Sequence, residues 1–446
     1  MSATAEAAPV PAEPKEETHA GNYFVSNYPP FSFWQTEKSA DAFAALDRAP
    51  APGTPLGVYL HIPFCRKRCH FCYFRVYTDK DSNQIKAYLD AAVRELELYA
   101  QRRFIDGRKA NFVYFGGGTP SYISSDQLVL LTDRMKKLIS WEGAEEVTFE
   151  CEPGTLTEHK LQVIRDVGVT RLSLGVEHFD DHVLEINGRA HHSKEISRAY
   201  EFARKLDFPQ INIDLIAGMV EETEEKWKDT VAKAVAMEPD SVTIYQMEVP
   251  YNTTIYKEMK AEGKLVAPVA TWDTKRGWVD YAFNEFAKKG YTVASAYTVV
   301  KNKAKTKFVY RDRLWAGADL IGLGVASFSH VGGTHFQNLD AFDKYLEALN
   351  SGKVPINRAL TPTPQERLIR ETILQFKLGR VSIDYFKKKF GADITKEFAA
   401  PMKTLSDWGF LSIDGDTVKL NREGLLQVDR LLHEFFLPQH RNARYT

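Results

Sequence analysis

From residue 57 onward, short apolar runs rich in β-branched and aromatic residues alternate with longer stretches that have the hydrophobic spacing of amphipathic helices. Strands that alternate with helices predict a parallel sheet with right-handed crossovers. Six such units favour a partial or complete β/α barrel, and a doubly wound sheet is the alternative. The six predicted strands are 58–62, 112–116, 146–151, 171–176, 211–218 and 241–247.

The pattern changes after the sixth run. Residues 291–300 predict one added strand, and residues 319–330 predict a glycine-rich turn that returns to the same neighbourhood. Beyond about residue 360 helical spacing dominates, and residues 410–420 predict a hairpin around Asp414-Gly415 before a last helix. Helices combined with a hairpin are typical of a small winged-helix module.

Two segments precede the first strand. Residues 1–20 are biased toward Ala, Pro and Glu and lack the apolar stretch of a signal peptide, so we expect a disordered tail. Residues 21–56 begin with an aromatic and proline-rich leader, whose rings we expect to pack on the main domain. The other expected units are a barrel at 57–345 and a C-terminal winged-helix-like domain at 360–440.

Composition narrows the class of protein. The chain has 446 residues, of which 44% are hydrophobic, and its net charge of -1 gives no global reason to expect nucleic-acid or membrane-surface binding. The basic run 387–389 is short and is better explained by a solvated helix face. No run of about 18 apolar residues predicts a membrane span. Four cysteines do not make a disulfide framework, so we expect a cytoplasmic protein whose clustered cysteines serve a metal or catalysis.

Residues with chemical potential cluster where the predicted strands end. The glycine run GGGTP (116–120) ends the second strand, Glu150 and Glu152 end the third, Glu177 ends the fourth, and Asp214 lies in the fifth. The cysteines follow the first strand. Because the carboxyl ends of parallel strands share one rim, we expect these groups to face a common site.

Three of the four cysteines, Cys65, Cys69 and Cys72, lie within eight residues. Three thiolates can hold three irons of a four-iron, four-sulfur (4Fe-4S) cluster and leave the fourth iron open to a small molecule. Four ligands would close a tetrahedral zinc ion, so a zinc site completed by His61 or His70 is the alternative.

The neighbours of this motif have simpler roles. Arg66, Lys67 and Arg68 can offset the negative charge of a thiolate-bound cluster. Cys151 lies within the third predicted strand, and its flanking glutamates face the opposite side of that strand. We therefore expect Cys151 to pack in the core rather than to serve as a fourth ligand.

The motif CxxxCxxC at 65–72 resembles the signature of radical S-adenosylmethionine (radical SAM) enzymes. The wider sequence resembles the oxygen-independent coproporphyrinogen III oxidase family, which includes heme chaperones and a class of radical methyltransferases. The similarity covers the predicted barrel and continues more weakly through the C-terminal module. It implies an α/β fold, a radical SAM partial (β/α) barrel, with a 4Fe-4S cluster on the three cysteines and one S-adenosylmethionine, or two. The segments that carry it are Tyr59–Cys65, Tyr114–Pro120, Arg171–Val176, Asn212–Ile216 and Gly322–Val325.

The resemblance also implies which residues touch the cofactor. GGGTP lacks the Gly-Lys-Ser/Thr of a P-loop, and its backbone can approach a ligand closely. Tyr59 and Glu150 match ligand-contacting positions, and we assign both to the catalytic site. The residues implied to bind S-adenosylmethionine are Tyr59, Gly117, Gly118, Thr119, Glu150, Glu177, Arg189, Asp214 and Phe328.

The resemblance implies a reaction as well. A flavodoxin or ferredoxin reduces the cluster, S-adenosylmethionine is cleaved to a 5′-deoxyadenosyl radical, and the radical takes a hydrogen atom from a tetrapyrrole. Oxidative decarboxylation of coproporphyrinogen III, in porphyrin and heme biosynthesis, is the leading expectation. Decarboxylating members carry a further cysteine where Phe74 stands, and a common glutamine is Glu177 here. A radical SAM C-methyltransferase and a heme-binding chaperone are therefore the alternatives.

Overall fold

The structure is a computed structural model that describes residues 16–441 and residue 443. The described strands form one sheet of twelve and one sheet of three. The large sheet contains β1 (Leu56–Ile62), β2 (Phe112–Gly117), β3 (Glu146–Cys151), β4 (Arg171–Glu177), β5 (Gln210–Ala217), β6 (Ser241–Gln246), β7 (Thr292–Val293), β8 (Thr298–Val300), β9 (Asp319–Leu323), β10 (Phe328–Val331), β11 (Thr334–Asn338) and β12 (Ile356–Leu360). The small sheet contains β13 (Arg380–Ser382), β14 (Leu411–Asp414) and β15 (Thr417–Leu420).

The helices lie between these strands and after them. They are α1 (Ser39–Leu46), α2 (Ser82–Ala100), α3 (Ser125–Leu138), α4 (Glu158–Asp166), α5 (Asp181–Ile186), α6 (Ser193–Lys205), α7 (Glu224–Met237), α8 (Thr254–Ala261), α9 (Trp272–Lys288), α10 (Val309–Trp315), α11 (Phe342–Asn350), α12 (Pro364–Phe376), α13 (Ile383–Phe390), α14 (Ile394–Glu397), α15 (Ala399–Asp407), α16 (Arg422–Leu426) and α17 (Val428–Leu432). Several start at sequence signals for a helix N-terminus. Capping boxes formed by Asp81 with Gln84, and by Ser124 with Gln127, begin α2 and α3.

The order of the strands decides between the two predicted architectures. β1 to β6 lie side by side in chain order and run parallel, and β9 runs parallel to β1 on its other side. A doubly wound sheet reverses its strand order at a switch point, and this sheet does not reverse between β1 and β6. The α/β class is therefore confirmed, with the partial (β/α) barrel rather than the doubly wound alternative.

The flanks of the large sheet differ from the prediction. Residues 291–300 form two short antiparallel strands, β7 and β8, because the chain turns back between them and the Ala294 amide donates to the Thr298 carbonyl. At the other edge β10, β11 and β12 follow β9 in the sheet, and each is antiparallel to the strand before it. The sheet thus continues past residue 345, where we expected the barrel to end.

The C-terminal segment has its own sheet and its own core. β14 and β15 form the predicted hairpin with Gly415 in its two-residue turn, and β13 pairs with β15. Apolar side chains of α12 to α17 pack together beneath this sheet. Val25 and Tyr28 of the leader are part of that second core, whereas Trp34 stacks on His335 of the large sheet. The leader therefore packs on both units.

The predicted disordered tail, residues 1–20, includes five residues that the structure describes. Residues 1–15 lie outside the described part of the chain. Disorder is wrong for residues 16–20, because the buried Lys275 ammonium donates to Thr18 Oγ1 at 2.8 Å and the Ala267 amide donates to the Thr18 carbonyl at 2.8 Å. A buried ammonium needs such acceptors. No helix within residues 16–441 is both long enough and apolar enough to cross a bilayer.

Candidate functional site

One large cavity lies over the carboxyl ends of the parallel strands and extends into the barrel. Its volume is about 880 Å³. Sites for small molecules and cofactors have volumes of about 300–1,000 Å³, so this cavity can accommodate more than a single small cofactor. The predicted site residues that line it are Cys65, Cys69, Cys72, Gly117, Gly118, Thr119, Glu150, Glu177, Arg189 and Asp214.

The loop after β1 carries the three cysteines on one wall of this cavity. Cys65 is buried, whereas Cys69 and Cys72 are half-buried, and all three are free thiols. The Thr119 hydroxyl donates to Cys65 Sγ at 3.3 Å. Burial raises the pKa of the Cys65 thiol to about 11 and that of Cys72 to about 12. These sulfurs therefore need a bound cation to become thiolates at neutral pH.

The arrangement fits an iron–sulfur cluster better than a single zinc ion. No group of three or more His, Cys, Asp or Glu side chains within the described residues is placed to hold one metal ion. Cluster thiolates bind different irons and need not meet at one point. His61 is also an unsuitable ligand, since its Nε2 donates to the Arg75 carbonyl and its Nδ1 accepts from the Tyr59 hydroxyl. Burial lowers the pKa of His61 to about 4.

The glycine run at the end of β2 lies directly against the cysteine loop. The Gly118 amide donates to the Ile62 carbonyl at 2.9 Å. A Cβ atom on Gly118 would lie 3.0 Å from Cys65 Sγ and 3.0 Å from that same carbonyl oxygen. Gly117 has a φ of 112°, which side chains rarely adopt. Glycine is therefore needed where β2 approaches the cysteine loop, whereas the close approach of this backbone to a ligand stays a prediction.

Glu150 lies inside the barrel at the end of β3. Its Oε1 accepts from the Tyr114 hydroxyl at 2.5 Å, and its Oε2 accepts from the Gly117 amide at 3.1 Å. Burial raises the pKa of Glu150 to about 7, although both hydrogen bonds oppose that rise. A buried carboxylate next to the glycine run can accept a hydrogen bond from a hydroxyl or a cationic group of a ligand.

Glu177 and Arg189 form an ion pair beside the cysteines. Glu177 ends β4 in a left-handed conformation, with φ 64°, after a shift in strand register, and such an irregularity re-aims a side chain. Arg189 Nη2 lies 3.6 Å from Glu177 Oε1, and Arg189 Nη1 donates to Cys69 Sγ at 3.3 Å. Burial raises the pKa of Glu177 to about 7, against the opposing charge of Arg189.

The positive charge next to the cysteine sulfurs comes from Arg189 rather than from the expected run 66–68. Arg66 forms an ion pair with Glu152 at 3.0 Å, and Arg68 donates to the Cys72 carbonyl rather than to a sulfur. Arg189 is the cation in contact with a cysteine sulfur. Arg189 comes from the loop after α5. The spacing of the cysteine motif carries no information about which distant loop packs against Cys69.

Asp214 is held by neutral donors rather than by a salt bridge. Its Oδ2 accepts from the Ser173 hydroxyl at 2.9 Å, and its Oδ1 accepts from the side-chain amide of Asn212 at 3.0 Å. Burial raises the pKa of Asp214, and Arg171 and these two donors act against that rise. Both donors come from the barrel interior of β4 and β5, so the sheet itself provides the partners of this charged group.

Two predicted residues, Tyr59 and Phe328, are not among the described residues that line the cavity. The Tyr59 ring packs on Tyr114, with ring centroids 5.9 Å apart. Phe328 starts β10 and is covered by the leader, because its ring stacks on Phe31 with centroids 4.3 Å apart. Neither side chain contributes to the cavity wall in this conformation, so their assignment to the cofactor stays a prediction.

Sequence reasoning missed two parts of the wall. Tyr23 and Phe24 of the N-terminal segment face the cavity, as do Asp429, Arg430 and Arg441 of the C-terminal module. No local motif marks these residues. Only the packing of the second core across the strand ends brings them to the site.

Comparisons with known proteins agree with this geometry. The Radical SAM superfamily matches residues 59–234. The heme chaperone HemW of Bacillus subtilis is 27% identical over 390 residues, covering 84% of this chain and 98% of that protein. The oxygen-independent coproporphyrinogen III oxidase of Pseudomonas aeruginosa is 26% identical over 430 residues, covering 91% of each chain. Both matches confirm the resemblance found in the sequence.

A solved structure shows the same fold. The coproporphyrinogen III oxidase HemN of Escherichia coli, a radical SAM enzyme, superposes with a TM-score of 0.80 and covers 94% of this chain and 99% of its own. Its sequence identity is 22%. At that identity the likeness supports the fold alone.

Proposed function

We propose that the chain, whose residues 59–234 match the Radical SAM superfamily, is a radical SAM oxidoreductase that acts on a tetrapyrrole and uses a 4Fe-4S cluster and S-adenosylmethionine as cofactors. The closest fit to the site is the oxidative decarboxylation of coproporphyrinogen III. When bound, the cluster and S-adenosylmethionine supply one-electron chemistry that removes a hydrogen atom from the substrate. The residues of the chain bind, orient and shield the reactants.

The proposed ligands of the cluster are Cys65, Cys69 and Cys72. Arg189, in contact with Cys69 Sγ, offsets the negative charge that builds up on the thiolates. Gly117 and Gly118 line the cavity beside the cysteine loop and are the proposed contacts for the amino-acid part of S-adenosylmethionine. The proposed contacts for the rest of that cofactor are Thr119, Glu150, Glu177 and Asp214.

One observation carries the choice of substrate. Seven lysines and arginines line the cavity, and Arg189 and Arg276 among them form ion pairs. Besides Arg171 on β4, four others form no ion pair with a carboxylate in the described part of the chain. These four come from the cysteine loop and from the C-terminal module, so two separate parts of the chain bring positive charge to the cavity wall. A tetrapyrrole with several propionates presents carboxylates that match guanidinium and ammonium donors. The four residues are Lys67, Arg68, Arg430 and Arg441.

The proposed reaction converts a propionate side chain into a vinyl group. One hydrogen atom leaves the carbon next to the ring and goes to the group derived from S-adenosylmethionine. The carboxylate leaves as carbon dioxide, its bonding electrons form the new double bond, and a one-electron carrier protein takes the remaining electron. A flavodoxin or ferredoxin is the proposed class of reductant for the cluster.

The test is anaerobic reconstitution with iron and sulfide, followed by incubation with coproporphyrinogen III, S-adenosylmethionine and a reduced flavodoxin. We expect vinyl products, carbon dioxide and 5′-deoxyadenosine by mass spectrometry. Cys69→Ala should abolish all three, whereas the exposed variant Arg313→Gln should retain them, because Arg313 pairs with Glu145 on the surface. Production of 5′-deoxyadenosine without any vinyl product would rule out the substrate and keep the superfamily assignment.

A second candidate is a heme-binding chaperone. Phe74, which stands where decarboxylating relatives carry a cysteine, is 46% exposed on the cavity wall and stacks on Tyr73 with ring centroids 4.5 Å apart. Such a flat apolar surface suits a porphyrin ring. Stable heme binding without turnover supports the chaperone. S-adenosylhomocysteine among the products would instead support a radical C-methyltransferase.

A further inference from the structure

Arg171, the first residue of β4, forms a buried part of the cavity wall at the end of this strand opposite the rim. Its side chain is only 2% exposed, yet it lines the cavity together with Ser173, Thr243 and Phe308. The Phe308 ring covers one face of the guanidinium, with the guanidinium carbon 4.0 Å from the ring centroid. The edges of the guanidinium, which carry its N–H donors, are left for another partner.

These donors are not satisfied by the protein. Arg171 Nε and Nη1 are buried and have no hydrogen-bond acceptor among the residues that the structure describes. Buried polar groups are nearly always hydrogen-bonded, and a charged donor without a partner is especially unfavourable. An acceptor supplied by a ligand would remove that cost.

The nearby carboxylates do not use these donors. Asp214 takes its hydrogen bonds from Ser173 and Asn212, and Glu150 takes its own from Tyr114 and Gly117. Each acid is thus satisfied by other groups. Arg171 lines the same cavity, and its Nε and Nη1 donors have no acceptor among the described residues.

We infer that Arg171 is a carboxylate-binding site at the base of the cavity. A guanidinium edge matches a carboxylate in two parallel hydrogen bonds. This inference rests on the proposed function, because a propionate of the tetrapyrrole is the carboxylate that we assign to it. The carboxylate of a second S-adenosylmethionine has the same chemistry and is the other source.

The S-adenosylmethionine held at the cysteine loop is too distant to be that source. β4 has seven residues from Arg171 to Glu177, which is a rise of about 20 Å along the strand. Glu177 is at the level of the cysteines, whereas Arg171 is at the opposite end of the strand. We therefore assign the carboxylate at Arg171 to a molecule other than the S-adenosylmethionine at the cysteine loop.

The experiment compares reconstituted wild type with Arg171→Gln, Arg171→Lys and the surface control Arg313→Gln. Binding of coproporphyrin III and of its tetramethyl ester is measured by fluorescence titration under anaerobic conditions. Equilibrium dialysis counts the S-adenosylmethionine bound per chain. We expect Arg171→Gln to weaken coproporphyrin III binding by about 10- to 100-fold, the range for a charged hydrogen bond, and to leave ester binding unchanged. Arg171→Lys keeps the charge and should recover part of the affinity.

The outcomes separate the two sources and the two proposals. Loss of one bound S-adenosylmethionine in Arg171→Gln, with porphyrin affinity unchanged, identifies a second S-adenosylmethionine as the carboxylate. Unchanged porphyrin affinity and unchanged S-adenosylmethionine count, in a folded Arg171→Gln variant that melts cooperatively, overturn the site. Lack of vinyl products from the wild type overturns the proposed function. In that case the porphyrin titration and the S-adenosylmethionine count still test whether Arg171 binds a carboxylate.

Discussion

The contact between Gly118 and the cysteine loop gives the sharpest test of the site. Replacing Gly118 with Ala adds a single Cβ atom 2.9 Å from the Pro63 carbonyl carbon, 3.0 Å from the Ile62 carbonyl oxygen and 3.0 Å from Cys65 Sγ. Two of these three atoms belong to the backbone and cannot rotate away. The loop must therefore move, and the Cys65 sulfur moves with it.

The expected size of the effect follows from overpacking. Forcing an extra carbon into a well-packed site costs about 1–3 kcal/mol. We expect Gly118→Ala to lower the free energy of unfolding of the apoprotein by this amount in urea titrations. The displaced Cys65 should also reduce the iron and sulfide retained after anaerobic reconstitution.

The matched control is Gly277→Ala, in the middle of α9. A Cβ atom there meets nothing within 4 Å. Alanine is favoured over glycine inside a helix by about 1 kcal/mol, so this variant should be slightly more stable and should hold wild-type iron. Wild-type stability together with wild-type iron content in Gly118→Ala would refute the close contact described here.

Further predictions concern the cluster, a buried acid and the cation beside the sulfurs. Cys69→Ala should retain far fewer than the about four irons expected per chain, whereas Cys151→Ala should retain them all, as measured by iron analysis. Glu95 is buried in α2, and burial raises its pKa to about 7 although several donors oppose the rise. A carboxyl whose folded pKa is raised stabilises the fold at low pH and loses that contribution as pH rises, here between about 4.5 and 7. Urea titrations of Glu95→Gln against wild type should therefore show a relative gain for the variant of about 3 kcal/mol from pH 4.5 to about pH 8. A difference in stability that does not change with pH would contradict this expectation. Arg189→Gln should weaken S-adenosylmethionine binding in equilibrium dialysis by at least about tenfold, since it removes the partner of a buried carboxylate and of a cluster sulfur; unaltered binding would argue against its placement at the cofactor.

The sequence predicted the strands of the barrel well, since buried parallel strands leave continuous apolar runs. The run 146–151 coincides with β3, and the runs for β1, β2, β4, β5 and β6 differ from the observed bounds by one or two residues. The rim could be predicted for the same reason. Parallel strands in sequential order bring their carboxyl ends to one rim. The order of the strands alone therefore predicts that Glu150 and Asp214 face the same cavity.

Contacts made by distant segments could not be predicted in this way. Arg189 reaches Cys69 from a loop of irregular structure, and Arg430 reaches the cavity from the C-terminal module. The stacking of Phe31 on Phe328 is a further contact of this kind, because it joins the leader to a strand some 300 residues later in the chain. Such contacts depend on how the two units pack, and no local periodicity describes that packing.

The position of the leader within the second core has a consequence for synthesis of the protein. Val25 is made early, yet its amide donates to Asp429 and its carbonyl accepts from Lys377, both near the end of the chain. Contacts separated by some 400 residues form only after most of the polypeptide has left the ribosome. The barrel can therefore fold while its upper wall is still missing. During that interval the cavity over the strand ends lacks the part of its wall that Asp429, Arg430 and Arg441 form.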